Sequence, residues 1–244
     1  MTAALTLGFS PCPNDTFIFH ALVHGLVASS CLVLAEPVLA DVETLNEWAI
    51  DGRLDVTKIS CHALGHVLDE YRLLRSGAAL GRGCGPLLVA RRKFSPAELP
   101  ARRIAIPGRL TTAALLLKLF SPGCVDLVPM RFDRIMPAVV TGEVDGGVII
   151  HESRFTYRQY GLQCLCDLGE WWEEESGAPI PLGCIVARRS LGTEKLVQLE
   201  RAIQTSVRLA FADPAASLAY VRSHARELDE QVIHEHIALY VNAF

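Results

Sequence analysis

The sequence lacks long apolar runs, an excess of basic residues and a secretion signal. No stretch approaches the roughly 18 consecutive apolar residues of a membrane-spanning helix. Lysine and arginine total 23 against 27 aspartate and glutamate, so there is no basic field to attract nucleic acid. The first residues, MTAALTLGFSPCPNDTF, contain neither the basic nor the continuous apolar segment of a signal peptide. We therefore expect a cytoplasmic protein with no membrane or nucleic-acid partner.

Motifs for nucleotides and metals are also missing. Neither G-x-x-x-x-G-K-[ST] nor G-x-S-x-G occurs, and the glycine-rich segment 81–85 leads into a predicted strand rather than out of one. The eight cysteines show no CxxC spacing. The pairs His62/His66 and His234/His236 lack the carboxylate neighbours and motif context of a zinc site. We expect no cofactor, no metal, and reduced cysteines that act as small core residues.

The sequence is rich in hydrophobic residues, which make up 50% of its 244 positions. This proportion supports a sizeable packed core. Strand-like segments alternate with segments of helical periodicity; LDVTKIS is an example of the former. VETLNEWAIDG is an example of the latter, with Asp41 as its predicted N-cap. Such alternation predicts an α/β fold with largely parallel sheets.

Two similar strands divide the chain. The segments 85–93 (GPLLVARRK) and 182–190 (LGCIVARRS) both end an apolar strand in Ala-Arg-Arg, and a self-contained α/β stretch lies between them. We predict one discontinuous lobe from 1–90 with 187–244, and a second lobe from 91–186. The two crossing strands would form a hinge. The lobes would enclose an interlobe cleft, since open α/β sheets bind ligands beyond the carboxyl ends of their strands.

Two helix starts contain groups suited to capping or to ligand binding. In PGRLTTAALLLK a strand ends, and Thr111 and Thr112 open an apolar helix. Such an end offers unpaired N–H groups to a carboxylate or phosphate, although an ordinary N-cap has the same pattern. In FSPCPNDTFIF, Asn14, Asp15 and Thr16 are all competent N-caps, and one cap accounts for only one of them. Both interpretations stay open for both loops.

Two strand ends carry polar residues that stand out. Lys58 lies inside LDVTKIS, where it either reaches the strand edge or pairs with Asp55. Ser60 ends the same strand as a candidate donor to a ligand. GGVIIHESRFTY places His151 at the end of an apolar strand. Because imidazole titrates near neutral pH, His151 is a candidate general base, although a structural histidine fits the pattern as well. The alternatives for this role are His20, His24, His62 and His66.

Taken together, these motifs resemble the 1,4-dihydroxy-6-naphthoate synthases of the futalosine route to menaquinone. The resemblance rests on FSPCPNDTFIF, DVETLN, TKIS, GRLTTA and IIHESRFTY, and extends from Leu7 to the terminal YVNAF. It implies a two-lobed fold similar to the type 2 periplasmic binding proteins, with His151 as the catalytic base. It also implies substrate contacts at Lys58, Ile59, Ser60, Thr111 and Thr112.

The resemblance further implies a reaction. Such a lyase converts cyclic dehypoxanthine futalosine, a small-molecule carboxylate, to 1,4-dihydroxy-6-naphthoate and releases a three-carbon fragment. Family members usually continue beyond the YVNAF segment, so we expect the chain to be shorter at its carboxyl end. Two alternatives remain: a chorismate dehydratase, against which HESRFTY argues, and a solute-binding protein for a small organic acid. A binding protein needs donors but no base, so His151 separates the two classes.

Overall fold

The chain forms two units joined by two strands. The computed structural model describes residues 4–27, 32–225 and 229–242. Unit 1 comprises Met1–Leu80 and Gly183–Phe244, and unit 2 comprises Gly81–Leu182. The predicted boundaries, after residues 90 and 186, lie further along the chain than the observed ones, which follow Leu80 and Leu182. The difference arises because strand 87–90 pairs within the sheet of unit 2, although its Ala-Arg-Arg ending marked it as a crossing strand.

Short strands and longer helices alternate along the described residues. The strands are β1 (Leu7–Phe9), β2 (Val38–Leu39), β3 (Val56–Ser60), β4 (Tyr71–Leu73), β5 (Ala79–Gly81), β6 (Leu87–Ala90), β7 (Ile104–Ile106), β8 (Leu127–Pro129), β9 (Gly146–Ile149), β10 (Gln163–Asp167) and β11 (Ile180–Arg188). The α-helices are α1 (Pro13–Val23), α2 (Val42–Ile50), α3 (Cys61–Val67), α4 (Thr112–Phe120), α5 (Phe132–Thr141), α6 (Ser153–Thr156), α7 (Leu168–Ser176), α8 (Gly192–Ala212), α9 (Pro214–His224) and α10 (Glu230–Tyr240). Short 3₁₀ helices span Pro96–Ala101, Tyr157–Tyr160 and Arg189–Leu191. The predicted α/β class is confirmed.

Unit 1 is built on a mixed sheet with strand order β2-β1-β3-β11-β4, and β5 pairs with β11. Strands β1, β2 and β3 run parallel, whereas β11 is antiparallel to both β3 and β4. Helix α1 packs against α8, α9 and α10, and its residues 13–22 are all buried. The stacked rings of Phe9 and Phe19, with centroids 4.5 Å apart, join β1 to this helical layer.

Unit 2 has a five-stranded sheet in the order β10-β6-β9-β7-β8. Strands β7, β8 and β9 are parallel, and β6 is antiparallel to β9 and β10. Alternate strand residues pack into two different clusters. Leu88, Ile104 and Val148 pack with α4, whereas Val89 and Ala105 pack with α5. Both faces of the sheet are therefore covered, which explains why its inner strands β6, β7 and β9 are continuously apolar.

One predicted helix cap is confirmed and another is wrong. Asp41 caps α2 by accepting from the main-chain N–H groups of Glu43 and Thr44. Helix α1 begins at Pro13 with Cys12 as N-cap, so Asn14, Asp15 and Thr16 lie in its first turn instead of capping it. Proline favours the first helical position because its φ is fixed and it has no N–H to leave unpaired.

Two further observations concern the described residues as a whole. Within them, no helix combines the length and apolarity that crossing a membrane requires. The seven cysteines found there are all free thiols, and Cys31 lies outside the described residues.

Candidate functional site

The carboxyl edge of the unit 1 sheet collects buried polar residues. Strands β1 and β3 are parallel neighbours, with Gly8 opposite Thr57, so the segments that follow them leave the sheet at the same edge. Ser10 follows β1 and Ser60 ends β3; both are buried. Polar groups at such an edge are positioned for ligand binding in open α/β sheets.

Lys58 and Asp15 form a buried ion pair at this edge. Lys58 Nζ lies 3.1 Å from Asp15 Oδ1, and each side chain is 5% exposed. Nζ also donates to the carbonyl oxygen of Gly77 at 2.8 Å. The prediction that Lys58 pairs with Asp55 or reaches the strand edge is wrong. Asp55 instead accepts from Thr6 N and Oγ1. It directly precedes β3 and lies three residues from Lys58, an odd spacing that turns the two side chains to opposite faces of an extended chain.

The Asp15 carboxylate is held by further donors. Its Oδ2 accepts from Ser10 N at 3.2 Å and from Ser10 Oγ at 2.7 Å, and Oδ1 accepts from Asn14 Nδ2 at 2.8 Å. Asn14 Oδ1 lies 3.0 Å from Nε2 of the fully buried His236 in α10. This network explains why three polar residues follow Cys12: two of them organise the ion pair.

Asn46 fixes Ser60. The main-chain N–H of Ser60 donates to Asn46 Oδ1 at 2.8 Å, and Asn46 Nδ2 donates to Ser60 Oγ at 3.1 Å. Ile59, between Lys58 and Ser60, is fully buried; it pairs with Cys184 of β11 on one side, whereas the pairing with β1 on the other side covers only Val56 and Thr57. A ligand contact from Ile59 would therefore have to use main-chain atoms.

Two thiols adjoin this cluster. The side-chain hydrogen bond with Cys184 lowers the pKa of Cys61, and the Lys58 charge acts in the same direction, against the opposing effect of burial. The same hydrogen bond, together with burial, raises the pKa of Cys184. Cys61 is therefore the thiol of this pair that is more readily ionised.

The carboxyl edge of the unit 2 sheet carries the other predicted residues. Strands β7 and β9 are parallel neighbours, so the loops that lead to Thr111 and to His151 leave the sheet at the same edge. Thr111 Oγ1 accepts from Ala114 N at 3.2 Å and donates to Gly108 O at 2.9 Å. The capping interpretation is thus confirmed for Thr111. Thr112 Oγ1 donates to Leu182 O at 2.8 Å.

His151 lies in the loop between β9 and α6, in a left-handed backbone conformation with φ of 57°. It is half-buried. Its ring makes an edge contact with Phe132, the first residue of α5, with centroids 5.1 Å apart and an interplanar angle of 71°. The backbone conformation and the aromatic contact together restrict where the imidazole points.

Arg154 is held in place next to this edge. Its guanidinium donates to Gly85 O at 2.7 Å and to Asp167 Oδ2 at 2.6 Å. Asp167 also caps α7 through its Oδ1. Arg82 and Arg109, by contrast, are exposed. Arg154 thus has a structural role that the sequence did not indicate.

Comparison of the sequence with models of known protein families identifies the family of this chain. A family model described as "Menaquinone biosynthesis" matches residues 5–244. The chain belongs to the menaquinone biosynthesis family. The resemblance found in the sequence is confirmed, and with it the prediction of an enzyme.

Curated relatives within menaquinone biosynthesis match nearly all of the chain. A protein of Thermus thermophilus named 1,4-dihydroxy-6-naphtoate synthase is 57% identical over 241 residues, which cover 99% of this chain and 87% of the relative. A protein of the same name from Streptomyces coelicolor is 49% identical over 245 residues, covering 98% of this chain and 86% of the relative. The chain is therefore similar in sequence to two enzymes with one name.

Solved structures confirm the fold predicted for this member of the menaquinone biosynthesis family. Protein AF1704 from Archaeoglobus fulgidus is 40% identical with a TM-score of 0.91, over 98% of this chain and 88% of that one. The alkanesulfonate-binding protein SsuA from Xanthomonas axonopodis pv. citri is 15% identical with a TM-score of 0.73, over 98% and 85% of the chains. The second likeness shows the periplasmic-binding-protein fold alone.

The histidine, cysteine and acidic side chains of this menaquinone biosynthesis enzyme are the candidates for a metal site. Over residues 4–27, 32–225 and 229–242, no three or more His, Cys, Asp or Glu side chains are grouped so that they could hold a metal ion. His62 and His66 contact each other through their rings, with centroids 5.5 Å apart.

Proposed function

We propose that this protein is a carbon–carbon lyase that converts cyclic dehypoxanthine futalosine to 1,4-dihydroxy-6-naphthoate and releases a three-carbon fragment. The observation that carries the proposal is the 57% identity, over 99% of the chain, to a protein named as the synthase of this product. The likeness to SsuA, at 15% identity, supports no function. The proposal involves no cofactor and no metal, and a cytoplasmic location stays a prediction from the sequence.

His151 is the proposed general base. Cleavage of a carbon–carbon bond next to a carbonyl needs a group that takes a proton and donors that hold the negative charge developing on oxygen. An imidazole takes a proton near neutral pH without a large pKa change. The restricted backbone of His151 and its contact with Phe132 support this role, since a base must be held in position to act. Aromatisation of the product ring would drive the reaction forward.

The proposed substrate contacts are the five positions that the resemblance supplied. Ser60 would donate through its hydroxyl, and Thr111 and Thr112 through main-chain N–H groups at the start of α4, because their hydroxyls already bond carbonyl oxygens. Lys58 would contribute a hydrogen bond more than a net charge, since Asp15 neutralises it. Ile59 would contribute main-chain atoms only.

The deciding experiment is incubation of the purified chain with cyclic dehypoxanthine futalosine. We expect naphthoate absorbance to appear and mass spectrometry to identify 1,4-dihydroxy-6-naphthoate together with the three-carbon fragment. Parallel incubation with chorismate tests the dehydratase alternative, and binding measured by calorimetry tests the solute-binding alternative. Binding of the futalosine derivative without product, or turnover of chorismate, would contradict the proposal.

A further inference from the structure

We infer that Asn46 is a positioning residue that forces Ser60 to act as a hydrogen-bond donor to the substrate. Asn46 lies in the middle of α2 and is fully buried, so it does not offer its own amide to a ligand. Its contacts instead set the direction of the Ser60 hydroxyl. The inference rests on the proposed function for its ligand, but not for its geometry.

The orientation of the Asn46 amide is fixed by its neighbours. Oδ1 faces the main-chain N–H of Ser60, which can only donate, at 2.8 Å. Nδ2 faces Oε2 of Glu43, which as a carboxylate can only accept, at 3.1 Å. Exchanging the two amide atoms would place donor against donor and acceptor against acceptor. Only one orientation of the amide satisfies both partners.

This orientation decides the role of the Ser60 hydroxyl. One Nδ2 hydrogen points to Glu43, so the other points to Ser60 Oγ at 3.1 Å, where the hydroxyl oxygen is the acceptor. The hydroxyl proton must then point elsewhere. Within the parts of the chain that the structure describes, it has no hydrogen-bond acceptor, and the hydroxyl makes no capping bond to α3.

A hydroxyl held in this way is a preorganised donor. Serine can usually rotate to donate or accept as its surroundings require. Here the Ser60 oxygen already accepts from Asn46, so its proton is directed away from Asn46. The hydroxyl can therefore donate to a substrate oxygen without first breaking an internal hydrogen bond. Donors that are already oriented stabilise negative charge on a substrate oxygen more effectively than donors that must reorient.

The test reverses the polarity of this arrangement without removing it. In the double variant Glu43→Gln/Asn46→Asp, the new carboxylate accepts from the Ser60 N–H, from the new glutamine amide and from the Ser60 hydroxyl. The Ser60 proton is then used internally. We expect kcat/KM for cyclic dehypoxanthine futalosine to fall about fivefold to tenfold, the effect of losing one hydrogen bond, and to match the fall in Ser60→Ala.

Two controls separate positioning from stability. Glu43→Gln alone still offers an acceptor oxygen to Asn46 Nδ2, so its kcat/KM should stay above that of the double variant. Adding Ser60→Ala to the double variant should cause no further loss, because both changes remove the same donor. Wild-type kcat/KM in the double variant, or a further multiplicative loss on adding Ser60→Ala, would overturn the inference.

Neutron diffraction tests the geometry independently of activity and of how the variants fold. In wild-type crystals exchanged into D₂O, we expect two Asn46 deuterons on Nδ2, one of them facing Ser60 Oγ, and the Ser60 deuteron directed away from Asn46. A Ser60 deuteron directed at Asn46 would overturn the inference even if the enzyme turns the substrate over. Failure of the wild type to produce naphthoate would overturn the proposed function and leave the neutron result standing.

Discussion

Replacing Lys58 with methionine removes the cation from a buried ion pair while keeping a side chain of similar length. Lys58 and Asp15 are each 5% exposed, so water screens neither charge. The variant leaves the Asp15 carboxylate buried without its counter-ion. It also takes from Gly77 O the donor that now lies at 2.8 Å.

The expected cost is set by the charge that remains. Removing one partner of a buried pair destabilises a protein by about 3–5 kcal/mol, because the other charge stays desolvated. Three hydrogen bonds from Ser10 and Asn14 still hold the Asp15 carboxylate, which favours the lower part of that range. The Gly77 carbonyl loses a bond, which favours the upper part. We expect the free energy of unfolding to fall by about 3–5 kcal/mol in Lys58→Met.

Urea denaturation followed by far-UV circular dichroism measures this change. The double variant Lys58→Met/Asp15→Asn removes both charges and should be more stable than Lys58→Met alone. The matched control is Arg53→Met, which breaks the exposed pair with Asp51, whose side chains are 58% and 50% exposed. It should cost no more than about 1 kcal/mol. A loss in Lys58→Met as small as in Arg53→Met would refute the reasoning, as would a double variant less stable than the single one.

Further predictions concern the base, the sheet of unit 2 and the thiols. His151→Ala should lower kcat for cyclic dehypoxanthine futalosine by about 100-fold or more while its Kd stays within about tenfold; wild-type kcat would remove the imidazole from the mechanism. Gly147→Ala should destabilise the protein by about 1–3 kcal/mol through overpacking, because its Cβ would lie 2.4 Å from a methyl carbon of α5; Gly65→Ala, where a Cβ would meet nothing within 4 Å, is the control, and equal melting temperatures would contradict the prediction. Iodoacetamide at about pH 8 should alkylate Cys61 before Cys166, since thiolates are the reactive form: a hydrogen bond from a second thiol lowers the pKa of Cys61, whereas burial raises that of Cys166 to about 11. Equal rates in a peptide mass-spectrometric time course would show that the two thiols ionise alike.

The fold was accessible from the sequence because its signals are local. Apolar strands and amphipathic helices repeat with periods of two and 3.6 residues, and caps such as Asp41 and Asp213 mark helix starts within three residues of their partners. The start of α1 was misplaced because three polar residues suggested a cap. Proline at position 13 fixes the first turn instead, so the N-cap is Cys12, two residues before Asn14.

The sequence predicted where Lys58 and Ser60 lie in the fold but not which residues they contact. Strand ends identified Lys58 and Ser60, since polar residues at those positions interrupt an apolar pattern. Their partners Asp15 and Asn46 lie 43 and 14 residues away along the chain, and no local pattern links them. Pairing across such distances depends on how the strands are ordered in the sheet. The sequence signals described here do not specify that order.

The backbone at His151 bears on whether its imidazole is used. Within the described parts of the chain, it is the one residue other than glycine with a positive φ, at 57°. That conformation costs a side-chain-bearing residue about 1 kcal/mol relative to glycine, although histidine tolerates it better than most. A turn needed only to end β9 would be more stable with glycine, as at Gly142 and Gly161 in the same unit. Strain of this kind is concentrated at functional sites, so a histidine at this position favours a chemical role for the ring over a structural one.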